Sequence, residues 1–211
     1  MKKILSLALS ALLLVALLAG CGGGTAEKGI AGSWAADVDM TEYLNAALSA
    51  EEDLGKYLTL DSFTIKLLAD FNEDGTYSMK GDPDSAKAAM DGLKEQTKAA
   101  VTAYMEDMIK EQGLDMSLDE LLEASGMSMD DLVDQMDQAY STEDLLGDLT
   151  MEGKYLYEEG KLALSDSLDE EADLSTYEAV ELDGDTLTLT GGDDADSDFA
   201  GLYPVVFERV G

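Results

Sequence analysis

Ser62-Phe63-Thr64-Ile65-Lys66-Leu67-Leu68-Ala69-Asp70-Phe71 runs directly into Asn72-Glu73-Asp74-Gly75 and then Thr76-Tyr77-Ser78-Met79-Lys80. Phe63, Ile65, Leu67, Ala69 and Phe71 take alternate positions, with Thr64, Lys66 and Asp70 between them. A period of two sends successive side chains to opposite faces, so the stretch predicts a strand with one buried face, Leu68 being the exception on the outer one. Asp74-Gly75 supplies the left-handed positions of a tight turn, and the whole predicts a hairpin.

The same device recurs. Residues 155–157 and 162–164 flank Glu159-Gly160, and residues 175–182 and 186–190 flank Asp183-Gly184. With a short strand at 33–38 and a last one at 203–210, eight strands are expected. Eight antiparallel strands joined by hairpins suit a closed barrel, its interior filled by side chains or holding one small ligand.

Between the second hairpin strand and the next lies helical sequence. Asp82-Pro83 offers an N-cap followed by Pro at the first helical position, and Gly113 offers a stop, bracketing up to 30 residues. Ala86, Met90, Leu93, Thr97, Val101, Tyr104 and Met108 fall on one stripe; Gly92 is the weak point. A local repeat follows: Met116-Ser117-Leu118-Asp119-Glu120 returns as Met127-Ser128-Met129-Asp130-Asp131 and more loosely as Tyr140-Ser141-Thr142-Glu143-Asp144. Each copy opens with Ser at the N-cap and an acid three residues on, a capping box in the first copy, so two or three short helices should pack on the long one. Gly126 and the repeated caps break any coiled coil. A further helix, capped by Thr41 and ending near Leu54, is expected after the first strand. The chain therefore reads as mainly β with an α insertion: a barrel in residues 32–81 and 149–211, and an acidic, Met-rich helical insertion in 82–148. Since a loop is cheap to lengthen or shorten, the insertion is expected to be removable, leaving a folded barrel.

Gly32-Ser33-Trp34 opens the first strand and holds the only Trp, while the only Arg, Arg209, lies in the last strand within Phe207-Glu208-Arg209. This pairing resembles the lipocalin-like, or calycin, barrels, where a Gly-x-Trp on the first strand closes one end beneath an Arg from the last. The resemblance covers the strand-rich parts and implies an eight-stranded antiparallel lipocalin-like barrel closed by Trp34 and Arg209, a contact of about 0.5–2 kcal/mol. The helix after strand one and the long insertion depart from that plan.

The N-terminus carries an address. Met1-Lys2-Lys3 is cationic, residues 4–18 are apolar apart from Ser6 and Ser10, and Ala19-Gly20 precede Cys21. This is the plan of a signal peptide, and the apolar run falls short of the roughly 20 residues that span a bilayer. Leu18-Ala19-Gly20-Cys21 resembles the lipobox of bacterial lipoproteins. That resemblance implies removal of residues 1–20, a diacylglycerol thioether on Cys21, and anchoring at the outer face of the bacterial cell membrane. Residues 21–31, rich in Gly, then read as a flexible tether. There is no second Cys and hence no disulfide within the chain.

Composition limits the chemistry. The chain holds 46 Asp plus Glu against 13 Lys plus Arg and no His, a net charge of −33; losing Lys2 and Lys3 with the leader takes it to −35. Without His there is no Ser-His-Asp triad, Cys-His pair or His-ligated zinc. So acidic a body would be repelled by nucleic acid and by an anionic bilayer, which leaves the lipid as its sole membrane contact. Asp70-Phe71-Asn72-Glu73-Asp74-Gly75 copies half of an EF-hand loop, but Gly81 stands where the bidentate Glu belongs, so a hairpin turn is expected. Asp193, Asp194, Asp196 and Asp198 share one loop and read as solvated, and Met127-Ser128-Met129 has thioether spacing but reads as core. No nucleophile elbow or phosphate loop occurs. The expectation is a lipid-anchored surface binding module without catalytic residues, cofactor or metal. An apolar small molecule or peptide and weakly held divalent cations are the partners left open. A cation-buffering envelope protein and, below it, a carboxylate-dependent hydrolase of envelope polymers are the alternatives.

Overall fold

The computed structural model describes residues 29–49, 55–137, 141–192 and 200–210. Eight strands, β1 (Gly32–Asp39), β2 (Thr64–Phe71), β3 (Thr76–Gly81), β4 (Met151–Glu158), β5 (Lys161–Leu164), β6 (Glu178–Asp183), β7 (Thr186–Gly192) and β8 (Val205–Val210), form a closed antiparallel barrel in sequence order. Closure comes from β8 pairing with β1, where Arg209 stands opposite Trp34. Alternation holds along β1 and β2: Trp34, Ala36 and Val38 on β1 and Ile65, Leu67, Ala69 and Phe71 on β2 are buried, and the residues between them are not. Leu68 points outward, half-buried.

Strand ends shift by a few residues. β2 begins at Thr64, although Phe63 still accepts the Met40 amide at 2.8 Å. β6 begins at Glu178 where the pattern predicted 175, and β8 at Val205 where it predicted 203; Pro204 has no amide to give to a ladder. The Asn72–Gly75 turn is closed by Gly75 N–H donating to Asn72 O at 3.1 Å.

Five α-helices fill the long connections. α1 (Thr41–Ser49) starts at Thr41, which is therefore not the cap. The Asp39 carboxylate instead takes the Thr41 amide at 2.9 Å, and the Thr41 hydroxyl accepts from Phe63 N–H at 2.8 Å. The predicted end of this helix near Leu54 lies outside the described residues. α2 (Pro83–Glu111) is capped by Asp82, whose carboxylate accepts from Ser85 N–H at 2.9 Å, and Gly92 does not interrupt it. Beyond its end Gly113 is left-handed, and the amides of Leu114 and Gly113 fold back to Ile109 O and Lys110 O at 3.2 and 3.1 Å. That is a Schellman stop, repeated at Gly126 with Met127 N–H on Leu122 O. The buried stripe of α2 is Ala86, Ala89, Met90, Thr97, Ala100, Val101 and Ile109. Tyr104 and Met108 were expected on it; at 100° per residue a run this long drifts off a fixed stripe, and Ile109 takes the buried place.

α3 (Leu118–Ser125), α4 (Met129–Asp137) and α5 (Thr142–Asp148) are the repeat copies. Ser117, Ser128 and Ser141 each accept the amide three residues on, and Glu120, Asp131 and Asp144 each return a bond to the serine amide. The capping box thus operates in all three copies, since an Asp carboxylate reaches as well as Glu.

The insertion does not stand apart from the barrel. Its Ala86, Ala89, Met90, Ala100 and Leu145 belong to the same apolar core as Trp34 and Phe207. Backbone bonds join them too: Asp82 N–H donates to Lys66 O at 2.8 Å, and Lys66 N–H to Ser85 Oγ at 3.0 Å. Val101, Ile109, Leu122 and Val133 are buried outside that core, where α2 packs on α3 and α4.

Candidate functional site

An antiparallel barrel in sequence order sends alternate connections to opposite ends. The β2–β3, β4–β5 and β6–β7 hairpins, the start of β1 and the end of β8 share one end. The α1 connection, the helical insertion and the links from β5 to β6 and β7 to β8 share the other. These two ends are the candidate sites.

At the hairpin end Arg209 and Trp34 meet, the guanidinium carbon 4.1 Å from the indole ring centroid. Arg209 Nη1 donates to Ala31 O at 2.8 Å and Nη2 to Gly29 O at 2.9 Å, while Nε faces Asp185 Oδ1 at 3.2 Å. Trp34 Nε1 donates to Ile30 O at 2.8 Å. Ile30 is 0% exposed, so residues 29–31, expected to belong to the tether, are built into the barrel floor. Gly32 explains the spacing of the motif. Its φ is +137°, and a Cβ there would lie 2.4 Å from Arg209 Nη1, so glycine at this position leaves the guanidinium its place over the indole.

The sequence reading missed three partners of Arg209: Gly29, Ala31 and Asp185. An isolated Ile four residues before the Trp was the one signal for the first two, and Asp185 directly follows the Asp183-Gly184 pair that marks the turn. Each of the three guanidinium nitrogens has a partner among this chain's own carbonyls and carboxylate, so the Arg209 head is held by the barrel floor that it closes.

Farther inside, Tyr77 donates to Ser165 O at 3.0 Å, and burial pushes its phenol up to about 12, with Asp166 adding to the shift. Tyr155 donates to Asn72 O at 2.9 Å and is raised mainly by burial. Among the described residues every buried side-chain polar atom has a partner.

The opposite end is closed by apolar side chains from several segments. Met40, Leu44, Leu58, Leu60 and Phe63 join the core beside Ala86 and Leu145. Asn45 exchanges two hydrogen bonds with the Leu60 backbone, at 2.9 and 2.7 Å, and Tyr57 packs edge-on to Tyr104 with centroids 5.5 Å apart. Outside this lid lies charge. Residues 82–148 hold 18 Asp and Glu against four Lys. All four lysines pair with carboxylates: Lys87 with Asp91, Lys94 with Asp134, Lys98 with Asp130 and Lys110 with Asp107. The Asp130 contact raises the Lys98 pKa, first through its hydrogen bond.

The remaining sequence candidates fall as follows. The EF-hand-like residues form the β2–β3 turn, with the Asp74 carboxylate accepting from the Thr76 hydroxyl and amide at 2.7 and 3.0 Å; those bonds hold its pKa below the usual range. Among the described residues no three His, Cys, Asp or Glu side chains are grouped to hold a metal, and no helix is long and apolar enough to cross a membrane. Of the insertion's methionines Met90 is buried, Met105, Met116, Met127 and Met129 are half-buried, and Met108 is exposed, so Met127 and Met129, expected as core, are only partly covered. Cys21, the expected leader in residues 1–20 and Asp193–Asp198 lie outside the described residues. In comparison with known proteins, the chain matches no family model, no curated protein and no solved structure.

Proposed function

We propose that this chain is a lipid-anchored binding module of the bacterial cell envelope, lipocalin-like in type, which engages a partner or ligand and catalyses nothing. The observation that carries the reading is the separation of the barrel's two ends. The chain enters at the hairpin end, where Arg209 grips the Gly29 and Ala31 carbonyls, and the helical end lies at the far side. An anchor on Cys21 is eight residues from Gly29, a reach of at most about 29 Å at 3.3–3.6 Å per residue. Such an anchor holds the floor toward the membrane and turns the acidic helical end outward, with a net charge that keeps the body off an anionic surface. Cys21→Ala tests this: the variant should leave the membrane fraction or remain unprocessed. Unchanged partition between membrane and soluble fractions would overturn the reading.

A further inference from the structure

The C-terminal tip of α2 departs from the pattern of the surrounding surface. Its residues up to Ala100 lie on the barrel core through Ala86, Ala89, Met90 and Ala100. The helix runs on to Glu111, so its last eleven residues carry it about 16 Å past that contact at 1.5 Å per residue. There Ile109 is buried, but Met108 is 37% and Leu114 43% exposed, and Met105 and Met116 are half-buried. Met105 and Met108 sit one turn apart on one face, and the Leu114–Ile109 backbone bond folds Leu114 back onto the same end of the helix. Leu114 and Met108 are two of the five large apolar side chains exposed among the described residues.

Charge surrounds this apolar tip on the sequence. Between residues 101 and 137 there are eleven carboxylates and one cation, Lys110, which is paired with Asp107 at 3.3 Å. An anionic lipid surface is repelled by so acidic a segment, and a second copy would bring two acidic tips together. Thioether side chains adapt to varied apolar shapes, and an excess of carboxylates in the same segment favours a cationic partner.

We infer that the α2 tip, around Met105, Met108, Leu114 and Met116, is a docking surface for a cationic amphipathic segment of a partner protein, its apolar side chains on the methionines and its Lys or Arg against the flanking carboxylates. The inference rests on the reading of the chain as an outward-facing binding module and names the chemistry of its partner. The tip lies on the end of the barrel away from the anchor, where such a segment can reach it.

The experiment uses the full chain in zwitterionic nanodiscs and a fluorescent leucine–lysine peptide designed as an amphipathic helix, with empty nanodiscs as the blank. A second peptide has the same composition with its apolar stripe scrambled. The amphipathic peptide should bind saturably, at least about tenfold tighter than the scrambled one, and weaken as NaCl rises from about 50 to about 500 mM. A Met108→Asp, Leu114→Asp double variant should lose about tenfold although it is more acidic, because the apolar contact is gone. Both side chains are exposed, and Met108→Ser, Leu114→Ser serves as a second variant should the charged one lose its fold. Equal binding of the two peptides, or unchanged affinity in both double variants, would overturn the inference. If peptide binding fails while Cys21→Ala still releases the protein from membranes, the partner chemistry is wrong and the anchored module stands; unchanged partition would remove the module reading whatever the peptide does.

Discussion

The two ends of the barrel are closed by different physics. At the hairpin end one guanidinium is fixed by two carbonyls, a carboxylate and an indole face, each at hydrogen-bond or stacking distance. At the helical end a set of Leu, Met, Phe and Ala side chains from α1, α2, α5 and residues 58–63 closes the core, and the directed bonds there tie the connecting segments to backbone groups, Asn45 to Leu60, Thr41 to Phe63 and Ser85 to Lys66. Directional contacts demand particular residues at particular places, whereas apolar closure demands volume and pattern. The hairpin end should accordingly be the more sensitive to single substitutions, and the helical end the more tolerant of them, with its largest cost appearing when whole segments are removed.

The largest effect is expected from removing the helical end altogether. Replacing residues 82–148 by a Gly-rich linker takes Ala86, Met90 and Leu145 from the core and uncovers the side chains they rest on. Burying a side chain the size of Leu or Met is worth about 1.5–3 kcal/mol, so losses on both sides of the contact reach on the order of 5–10 kcal/mol. A natural domain's whole stability is about 5–15 kcal/mol, and the shorter connection returns only about 0.6 kcal/mol per halving of length. The variant should lack a cooperative thermal transition by circular dichroism. A sharp transition in it would show that the lid is dispensable and that the barrel core closes alone.

At the hairpin end one methyl group should be enough to matter. Gly32→Ala places a Cβ where Arg209 Nη1 lies and imposes a positive φ on a side-chain-bearing residue. A loss of about 2–4 kcal/mol in urea unfolding is expected. In an Arg209→Met background the same substitution should cost clearly less, because the steric part of its effect has been removed. Additive losses in the double-mutant cycle would mean that strain at Gly32 alone, and not the guanidinium, sets the demand for glycine.

The two ends were also unequally legible in the sequence. Period-2 alternation and Asp-Gly or Glu-Gly turns give the hairpins directly, and Asp82-Pro83 and Ser117 announce helix starts, because these signals act within a few residues of chain. The Trp34–Arg209 contact was legible only through resemblance to a family pattern. The Gly29 and Ala31 carbonyls were not, since a Gly-rich segment carries no local sign that a residue 180 positions away will bind it. Sharing of the core between α2, α5 and the barrel was hidden for the same reason: a stripe shows that a face is buried without naming what buries it. Met108 and Ile109 show the limit at one residue, where a heptad-like stripe chose the wrong neighbour.

Alkaline pH should separate the two ends more gently. The Tyr77 phenol ionises near its ordinary pKa of about 10 in the unfolded chain but is raised to about 12 in the fold, so its contribution to stability is complete below pH 10 and is lost as pH climbs toward 12. Tyr155, on the same half of the barrel, acts in the same direction. The slope of unfolding free energy against pH over this window should fall by about one proton in Tyr77→Phe. An unchanged slope would place the alkaline sensitivity elsewhere, with Lys98, whose pairing to Asp130 also fades at high pH, as the group to test on the helical side.

The smallest effect compares two caps of the same chemistry at different depths. Ser117 and Ser141 both take part in reciprocal capping boxes, the first on α3 and the second on α5. In the α3 box the bonds from the Ser117 amide and hydroxyl hold the Glu120 pKa below its usual value, so that arrangement is intact at neutral pH and weakens as pH falls through the lowered pKa. Truncating an N-cap serine costs about 1 kcal/mol of helix stability in either place. The consequences should differ because Leu145 on α5 is 0% exposed in the shared core, while Leu122 on α3 is buried only among the outer helices. Ser141→Ala should therefore lower the melting temperature of the whole protein by about 2–4 °C. Ser117→Ala should leave it nearly unmoved and instead speed hydrogen exchange of the α3 amides, because the outer helices can open while the barrel core stays formed. Equal melting shifts in the two variants would show that the distal half of the insertion is cooperative with the barrel, and the difference drawn between core-sharing and outlying helices would then fail.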